Sequence, residues 1–543
     1  MNSSVILDVL VLLAYFGVII GIGLSQRSKS DSVEGFTLGD RQIAWWAVLA
    51  SILAAEISAA TFLGAPESGF IKRNWTYAQF AIGTILARII VSFLFIPLFY
   101  RQGVISLYEF LETRFGSVTR KFASITFLVT RVLAMGTRLY VSAIILVLAW
   151  EMFFGMPSDP HARGWIKFWL FAGAVVLVTG LTAFYTAIGG IRAVIWTDFI
   201  QVGVLVAALA FSIFFLLAKI PGGWATAQQY INEPQFFDFA RPPEPGFWPW
   251  IKNVLTSEYT IWAAVIGSTF VTMATHGIDQ DTVQRMLTAK NRKESAKATI
   301  LSGLIDLPVV SAFILVGILL YTYYQVHPNP NLPRTDAGEI VGREVFPYFI
   351  LDVMPMGMRG LVTAGILATA MGSLSTALNA LATSYSRDFA LPRLERKGVL
   401  VDEWQRVRVL RQSTVYAALF IVAVGVGTAY YIALNPTTPI IPLVLGILGF
   451  TFGSLLGVFL LGIFTKRRGN DFGNVIAMVL AVVIVIFLSS GDVQKLVGID
   501  TPFVIAFPWR ITLGTFVTFF VGLCFTTDPE RVAIRERVDA TNA

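Results

Sequence analysis

Cysteine and histidine are nearly absent from this 543-residue chain: Cys524 stands alone, and there are three histidines. That excludes a disulfide-stapled secreted fold and leaves little for a zinc, iron–sulfur or haem centre, each of which needs several such ligands. Charge is scarce as well. Asp, Glu, Lys and Arg make up 14%, against about 25% in a typical soluble domain. So few charges cannot coat the water-facing surface of a chain this long, which excludes a cytosolic enzyme and a disordered polypeptide. The sequence also lacks a GxxxxGK[ST] phosphate loop, an HExxH helix and a GxSxG elbow. An ATP-driven pump and an intramembrane hydrolase therefore have no visible apparatus.

What is present is apolar. Hydrophobic residues reach 55% and the mean hydropathy is +0.70. A membrane helix needs roughly 20 mostly apolar residues. Runs of that kind predict thirteen spans, at about 5–25, 44–70, 75–100, 119–153, 164–187, 193–218, 255–278, 295–325, 360–385, 411–432, 438–464, 471–490 and 510–527. The first carries no basic leader and no small-residue cleavage site, so it reads as a retained helix. No linker or low-complexity stretch divides the chain, which reads as one membrane domain over 1–543.

Basic residues orient the bundle, because they gather on the cytoplasmic side. With the N-terminus outside and the C-terminus in the cytoplasm, the segments 26–43, 101–121, 188–192, 279–297, 386–411, 465–470 and the tail after 527 carry 26 of the 41 lysines and arginines. The clusters at Arg285–Lys297 and Arg387–Arg411 are therefore topology signals in contact with lipid, not a nucleic-acid surface. The outer segments 219–254 and 326–359 are rich in proline and aromatics, which suits ordered caps. Nothing in the sequence calls for an obligate protein partner.

Three spans carry polar groups that lipid would not tolerate. The second, AWWAVLASILAAEISAATFLGAPESGF, places Glu56 at mid-span beside Ser51, Ser58 and Thr61 and among small residues. A carboxylate there costs roughly 2.5–3.5 kcal/mol on insertion, and such residues mark functional sites. Small residues let the helix unwind, and unwound backbone at membrane depth lines cavities where transporters hold solute and cation. In the seventh span, spacings of three and four put Thr269, Thr272, His276 and Asp279 on one face, with Thr275 beside them. The ninth carries Thr369, Ser373, Ser375, Thr376 and Asn379 among alanines and glycines. Oxygen donors of this kind suit a hard cation. The same hydroxyls also suit bonds back along their own helix, and both readings stand. His276 is either a satisfied core histidine or a ligand. Asp306, inside the eighth span, either pairs with Arg88, Arg131 or Arg138 or faces a solute.

The stretches WWAVLASILAAEISAATFLG (45–64), GGIRAVIWTDFIQV (189–202), DQDTVQRMLTAK (279–290) and GSLSTALNALA (372–382) resemble the sodium:solute symporter family, whose members include sodium-coupled sugar, proline, iodide, monocarboxylate and sialic acid carriers. The resemblance runs from about residue 5 to 470. It implies an all-α polytopic membrane protein with the LeuT-like five-plus-five inverted repeat and broken helices. One repeat would cover 44–218 and the other 255–464, with 5–25 and 471–527 peripheral and 528–543 a cytoplasmic tail. It implies sodium-coupled symport by alternating access in the cell membrane, without enzymatic activity. The implied sodium ligands are the carbonyls of Ala54, Ile57 and Thr369 with the Ser373 hydroxyl, and Asp198 would line the sodium exit path. The family usually has two adjacent hydroxyl residues where this chain has Gly372 followed by Ser373. One side-chain ligand is thus missing: either a water, a neighbouring carboxylate, Ser375 or Thr376 replaces it, or sodium is bound weakly.

The implied solute cavity is lined by Glu56, Ser58, Thr61, Thr84, Thr272, Thr275, His276 and Asp306. Where sodium–sugar members carry Gln, Glu, Asn and Lys, this chain has Thr61, Ala81, Thr272 and Asp306. Thr275 stands at the aromatic inner-gate position and Glu56 at a polar Asn. The expected solute is small and organic, sugar-like or carboxylate-like, but not bound as a hexose is in that branch. Two alternatives accompany this reading: a proton-coupled symporter using Glu56, and a non-transporting solute sensor of the same fold.

Overall fold

The computed structural model describes residues 3–27, 31–242, 244–334, 338–398, 402–434 and 440–533. Helices dominate these residues, and no strand occurs among them. The helices that matter for the site are α1 (Ser3–Ser25), α2 (Trp45–Glu56), α3 (Ala59–Lys72), α4 (Phe80–Gln102), α5 (Ser117–Phe154) and α6 (Pro160–Lys219). They are followed by α7 (Ser268–Gly277), α8 (Gln280–Met286), α9 (Arg292–Val326) and α10 (Met358–Tyr385). The last four are α11 (Glu403–Leu434), α12 (Ile440–Phe464), α13 (Asp471–Ser489) and α14 (Phe507–Leu523).

Among the described residues nine helices are long and apolar enough to cross a membrane, or ten if α2 and α3 form one bent span. The helix α6 holds 60 residues. At 1.5 Å per residue it would be about 90 Å long, three times a bilayer core of about 30 Å. It turns at Gly190, whose φ of 56° and ψ of −153° lie where only glycine rests without strain. The turn separates the apolar runs expected at 164–187 and 193–218. The start of α6 is fixed by Asp159, whose carboxylate accepts from the Ala162 amide. Asn291 starts α9 in the same way, accepting from Lys293 and Glu294. The shorter apolar helix α14 lies against α12 and α13.

Burial separates a centre from a rim. In α10, 94% of the most apolar window is buried, against 17% in α1 and 33% in α13. A helix surrounded by protein has no need of lipid-like side chains, and α10 is accordingly the one rich in Ser, Thr, Ala and Gly. It packs on α6, α1, α2, α5 and α11. On the rim, Leu10 and Leu13 of α1, Phe214 of α6, and Leu419 and Phe420 of α11 stand exposed, as lipid-facing residues do. The stretch expected at 255–278 is interrupted. A helix ends at Thr256, a π-helical turn spans Ala263–Gly267, and α7 then stops at Gly277. Such π turns recur at functional sites.

Candidate sodium and solute site

The helix α2 ends at Glu56, and α3 restarts at Ala59 with its axis bent by 59°. The residues between them have non-helical backbone torsions, with φ −78° and ψ 84° at Ile57 and extended backbone at Ser58. Two sets of polar groups, held by different helices, meet at this break.

On the first side, α2, α6 and α10 meet. Gly372 of α10 faces Ala54 so closely that a Cβ placed on it would lie 3.4 Å from the Ala54 carbonyl oxygen. The same point lies 2.8 Å from Oε1 of Gln201 and 3.4 Å from Oδ1 of Asp198. Asp198, Gln201, Thr369 and Ser373 are all buried. Asp198 Oδ2 accepts a 2.5 Å hydrogen bond from Ser51 and lies 3.8 Å from the Arg285 guanidinium. Its Oδ1 has no partner, nor does either polar atom of the Gln201 amide. Buried polar atoms left in this way are costly. The three heavy atoms nearest that point are all oxygen, the donor type that a hard monovalent cation takes in preference to nitrogen or sulfur. The residues present therefore fit a sodium ion.

The helix α10 hydroxyls behave differently from that cluster. Ser373 donates to the Thr369 and Ala370 carbonyls, and Thr369 to Ile366. Ser375 and Thr376 both donate to the Gly372 carbonyl. Neither Ser375 nor Thr376 is among the three nearest atoms to a Cβ placed on Gly372. Ser373 still offers oxygen lone pairs, because donating a proton leaves them free.

On the second side lie α3, α4, α7 and α9. Glu56 is ion-paired with Arg88 of α4, which also donates to Ser302 of α9 at 3.1 Å. The guanidinium is fully buried, whereas 24% of the Glu56 side chain is exposed. The carboxylate thus faces the open space and the cation stands behind it. Asp306 is buried on α9 in the field of both charges and forms no ion pair of its own among the described residues. Between α4 and α7, Thr84 lies 3.3 Å from Ser268 and accepts from Thr272 at 3.4 Å. Thr275 contacts Nδ1 of its neighbour His276, whose Nε2 is buried without a partner. Ser58 is buried and its side chain caps nothing in α3, and Thr61 is half-buried one turn on.

One expectation fails here. Asp279 does not continue the face of α7. That helix has ended, and Asp279 caps α8, accepting from the Asp281 amide at 3.1 Å. It is instead ion-paired with Arg131, which also lies 2.9 Å from Asp281. Arg88 takes Glu56 rather than Asp306 as its partner. Gln201, Ser268 and Ser302 were not singled out by the sequence. Gln201 had a signal, since it lies one helical turn after Asp198 in WTDFIQ. The two serines had none.

The helix α8 seals the region beyond the break. All seven of its residues are buried, five of them polar or charged. Gln284 Nε2 reaches the Thr37 carbonyl at 2.6 Å, Asn379 at 2.7 Å and Thr383 at 3.1 Å. Arg285 donates to the Ser51 carbonyl at 2.7 Å. At the far end of α3, a separate polar cleft of about 330 Å³ is lined by residues that include Lys72, Asp238, Glu258 and Tyr259.

The profile described as the sodium:solute symporter family matches residues 36–481. The chain belongs to that family. The symporter is 29% identical to the sodium/sialic acid symporter NanT of Aliivibrio fischeri, over 89% of its own length and 88% of that protein. It is 27% identical to human sodium-coupled monocarboxylate transporter 1, over 86% of its own length and 70% of the relative. Its fold matches the solved structure of a sodium-coupled sialic acid symporter in a substrate-bound, outward-open state. The TM-score there is 0.75 at 24% identity, covering 95% and 97% of the two chains. A nucleobase-cation-symport-1 family transporter matches with a TM-score of 0.50 at 13% identity. The symporter is thus an all-helical, multi-pass membrane carrier of LeuT-like fold that couples solute to sodium. Neither the proton-coupled nor the sensor alternative is favoured by these likenesses.

Proposed function

We propose that this symporter imports a small, polar, hydroxyl- or carboxylate-bearing organic solute across the cell membrane, with the N-terminus outside and the C-terminus in the cytoplasm. Sodium binds where the α2 break meets α6 and α10, at the carbonyls of Ala54, Ile57 and Thr369 and the Ser373 hydroxyl, with Asp198 on the cytoplasmic exit path. The solute occupies the opposite side of the same break, against Glu56, Ser58, Thr61, Thr84, Thr272, Thr275, His276 and Asp306. The two halves 44–218 and 255–464 form the inverted repeats that rock about this point, with 5–25 and 471–527 outside them. The observation that carries the reading is the break itself. One short unwound segment separates unpartnered buried oxygens on one side from a carboxylate and a ladder of hydroxyls on the other.

The coupling follows from that shared segment. Sodium ties α2 to α6 and α10, and this fixes the torsions of Ile57 and Ser58 that shape the solute side. Each ligand therefore favours the arrangement that the other needs, which is a coupling free energy. One sodium charge moving inward at −100 mV supplies roughly 2.3 kcal/mol. That supports about 50-fold accumulation of a neutral solute, before the sodium concentration gradient adds its share.

Thermal unfolding of the purified protein tests the reading without a known solute. Sodium chloride will raise the midpoint over potassium or choline chloride at equal ionic strength, because a ligand that binds only the folded state stabilises it. Ser373→Ala will shift the sodium titration to higher concentration and leave the midpoint in choline unchanged. An identical sodium titration in that variant removes Ser373 from the ligand set. With sodium bound, related sugars, sugar acids and monocarboxylates can then be screened by the further rise each causes.

A further inference from the structure

Position 372 is where the family resemblance implies a hydroxyl residue and this chain has glycine. The helix α10 supplies Ser373 but only a hydrogen atom at Gly372. The space beside that hydrogen has no α10 side-chain atom among its three nearest neighbours, and Ser375 and Thr376 both bond back to the Gly372 carbonyl. It is approached from α6. A Cβ on residue 372 would lie 2.8 Å from Oε1 of Gln201, too close for a serine and the glutamine in its present rotamer to coexist. The amide is buried, and neither of its polar atoms has a hydrogen-bond partner.

We propose that the carboxamide oxygen of Gln201 is the sodium ligand that replaces the hydroxyl missing at Gly372. This rests on the sodium-symport reading above and adds a residue to it. An amide oxygen is chemically close to the backbone carbonyls of Ala54 and Ile57. It is neutral, hard and strongly dipolar, so it substitutes for a hydroxyl without altering the charge of the site. The cation also explains the orientation of the amide. With Oε1 turned to the ion, Nε2 is left for the side of Tyr15 and Tyr185, which lie near the amide.

The test is a sodium titration of the apparent melting temperature in purified full-length protein, with choline chloride holding ionic strength constant. The set comprises wild type, Gln201→Leu, Gly372→Ser and the double variant Gly372→Ser/Gln201→Ala. Gln201→Leu will raise the half-maximal sodium concentration about tenfold, as losing one ligand worth a tenfold factor implies. The double variant will return to within about threefold of wild type, because a hydroxyl then occupies the vacated space. If Gln201→Leu folds poorly, Gln201→Asn withdraws the same oxygen by one methylene and carries the same expectation. A Gln201→Leu protein that melts earlier in every salt, yet keeps the wild-type sodium midpoint, shows a packing role and overturns the assignment. A double variant as defective as Gln201→Leu overturns the exchange with position 372. Wild-type protein without any sodium-specific shift fails the symport reading itself, a result distinct from either.

Discussion

Arg88→Met will destabilise the folded symporter by about 3–5 kcal/mol, the cost of leaving a buried charge without its partner. The guanidinium is fully buried and pairs with Glu56 in a place that also holds Asp306. Removing it leaves two carboxylates facing each other with no cation between them. The check is the melting temperature in mild detergent, read by size exclusion with fluorescence detection. Glu56→Gln added to Arg88→Met will recover a substantial part of the loss, since one orphaned charge is then removed. Met fills much of the volume of Arg, so a lost cavity filler is not the cause. If Arg88→Met is as stable as wild type, the pair is not what neutralises Glu56 in the folded state.

Gly190→Val will be nearly as damaging, for a reason that involves no charge. The residue has φ 56° and ψ −153°, a region closed to side chains at a cost of roughly 1–3 kcal/mol. A Cβ there would also stand 2.7 Å from the carbonyl oxygen of Phe36 and 3.0 Å from its Cα. Neither is the end of a flexible side chain, so the backbone itself must move, at about another 1–3 kcal/mol. Expression level and melting temperature will both fall. Gly203→Val, on the same helix with open space around its Cβ position, is the control and will stay near wild type.

The spans were legible because an apolar run of fixed length is what a bilayer demands, whatever the tertiary packing. The expected 295–325, 360–385 and 471–490 lie within a few residues of α9, α10 and α13. The broken second span was legible too, since Glu56 among alanines and serines has no other economical place. What escaped was phase and partnership. A helical wheel extended over Thr269–Asp279 assumes an uninterrupted helix, and the stop at Gly277 rotates Asp279 away to Arg131. Arg88 was visible as a buried cation, but its choice between Glu56 and Asp306 depends on the side of α4 that meets the break. The hydroxyls of α10 were weighed between ligands and bonds back along the helix. Thr369, Ser373, Ser375 and Thr376 all bond back along the helix, and spacing alone does not show this.

The buried helix α8 has a consequence for the rate at which the empty carrier cycles. The bonds of Gln284 to Thr37, Asn379 and Thr383, and that of Arg285 to Ser51, tie α8 to the elements around it. Each hydrogen bond is worth about 0.5–1.5 kcal/mol net, so breaking them together without bound ligands is a rare event. A carrier whose cycle must break these bonds is expected to lose little of the ion gradient through uncoupled slippage.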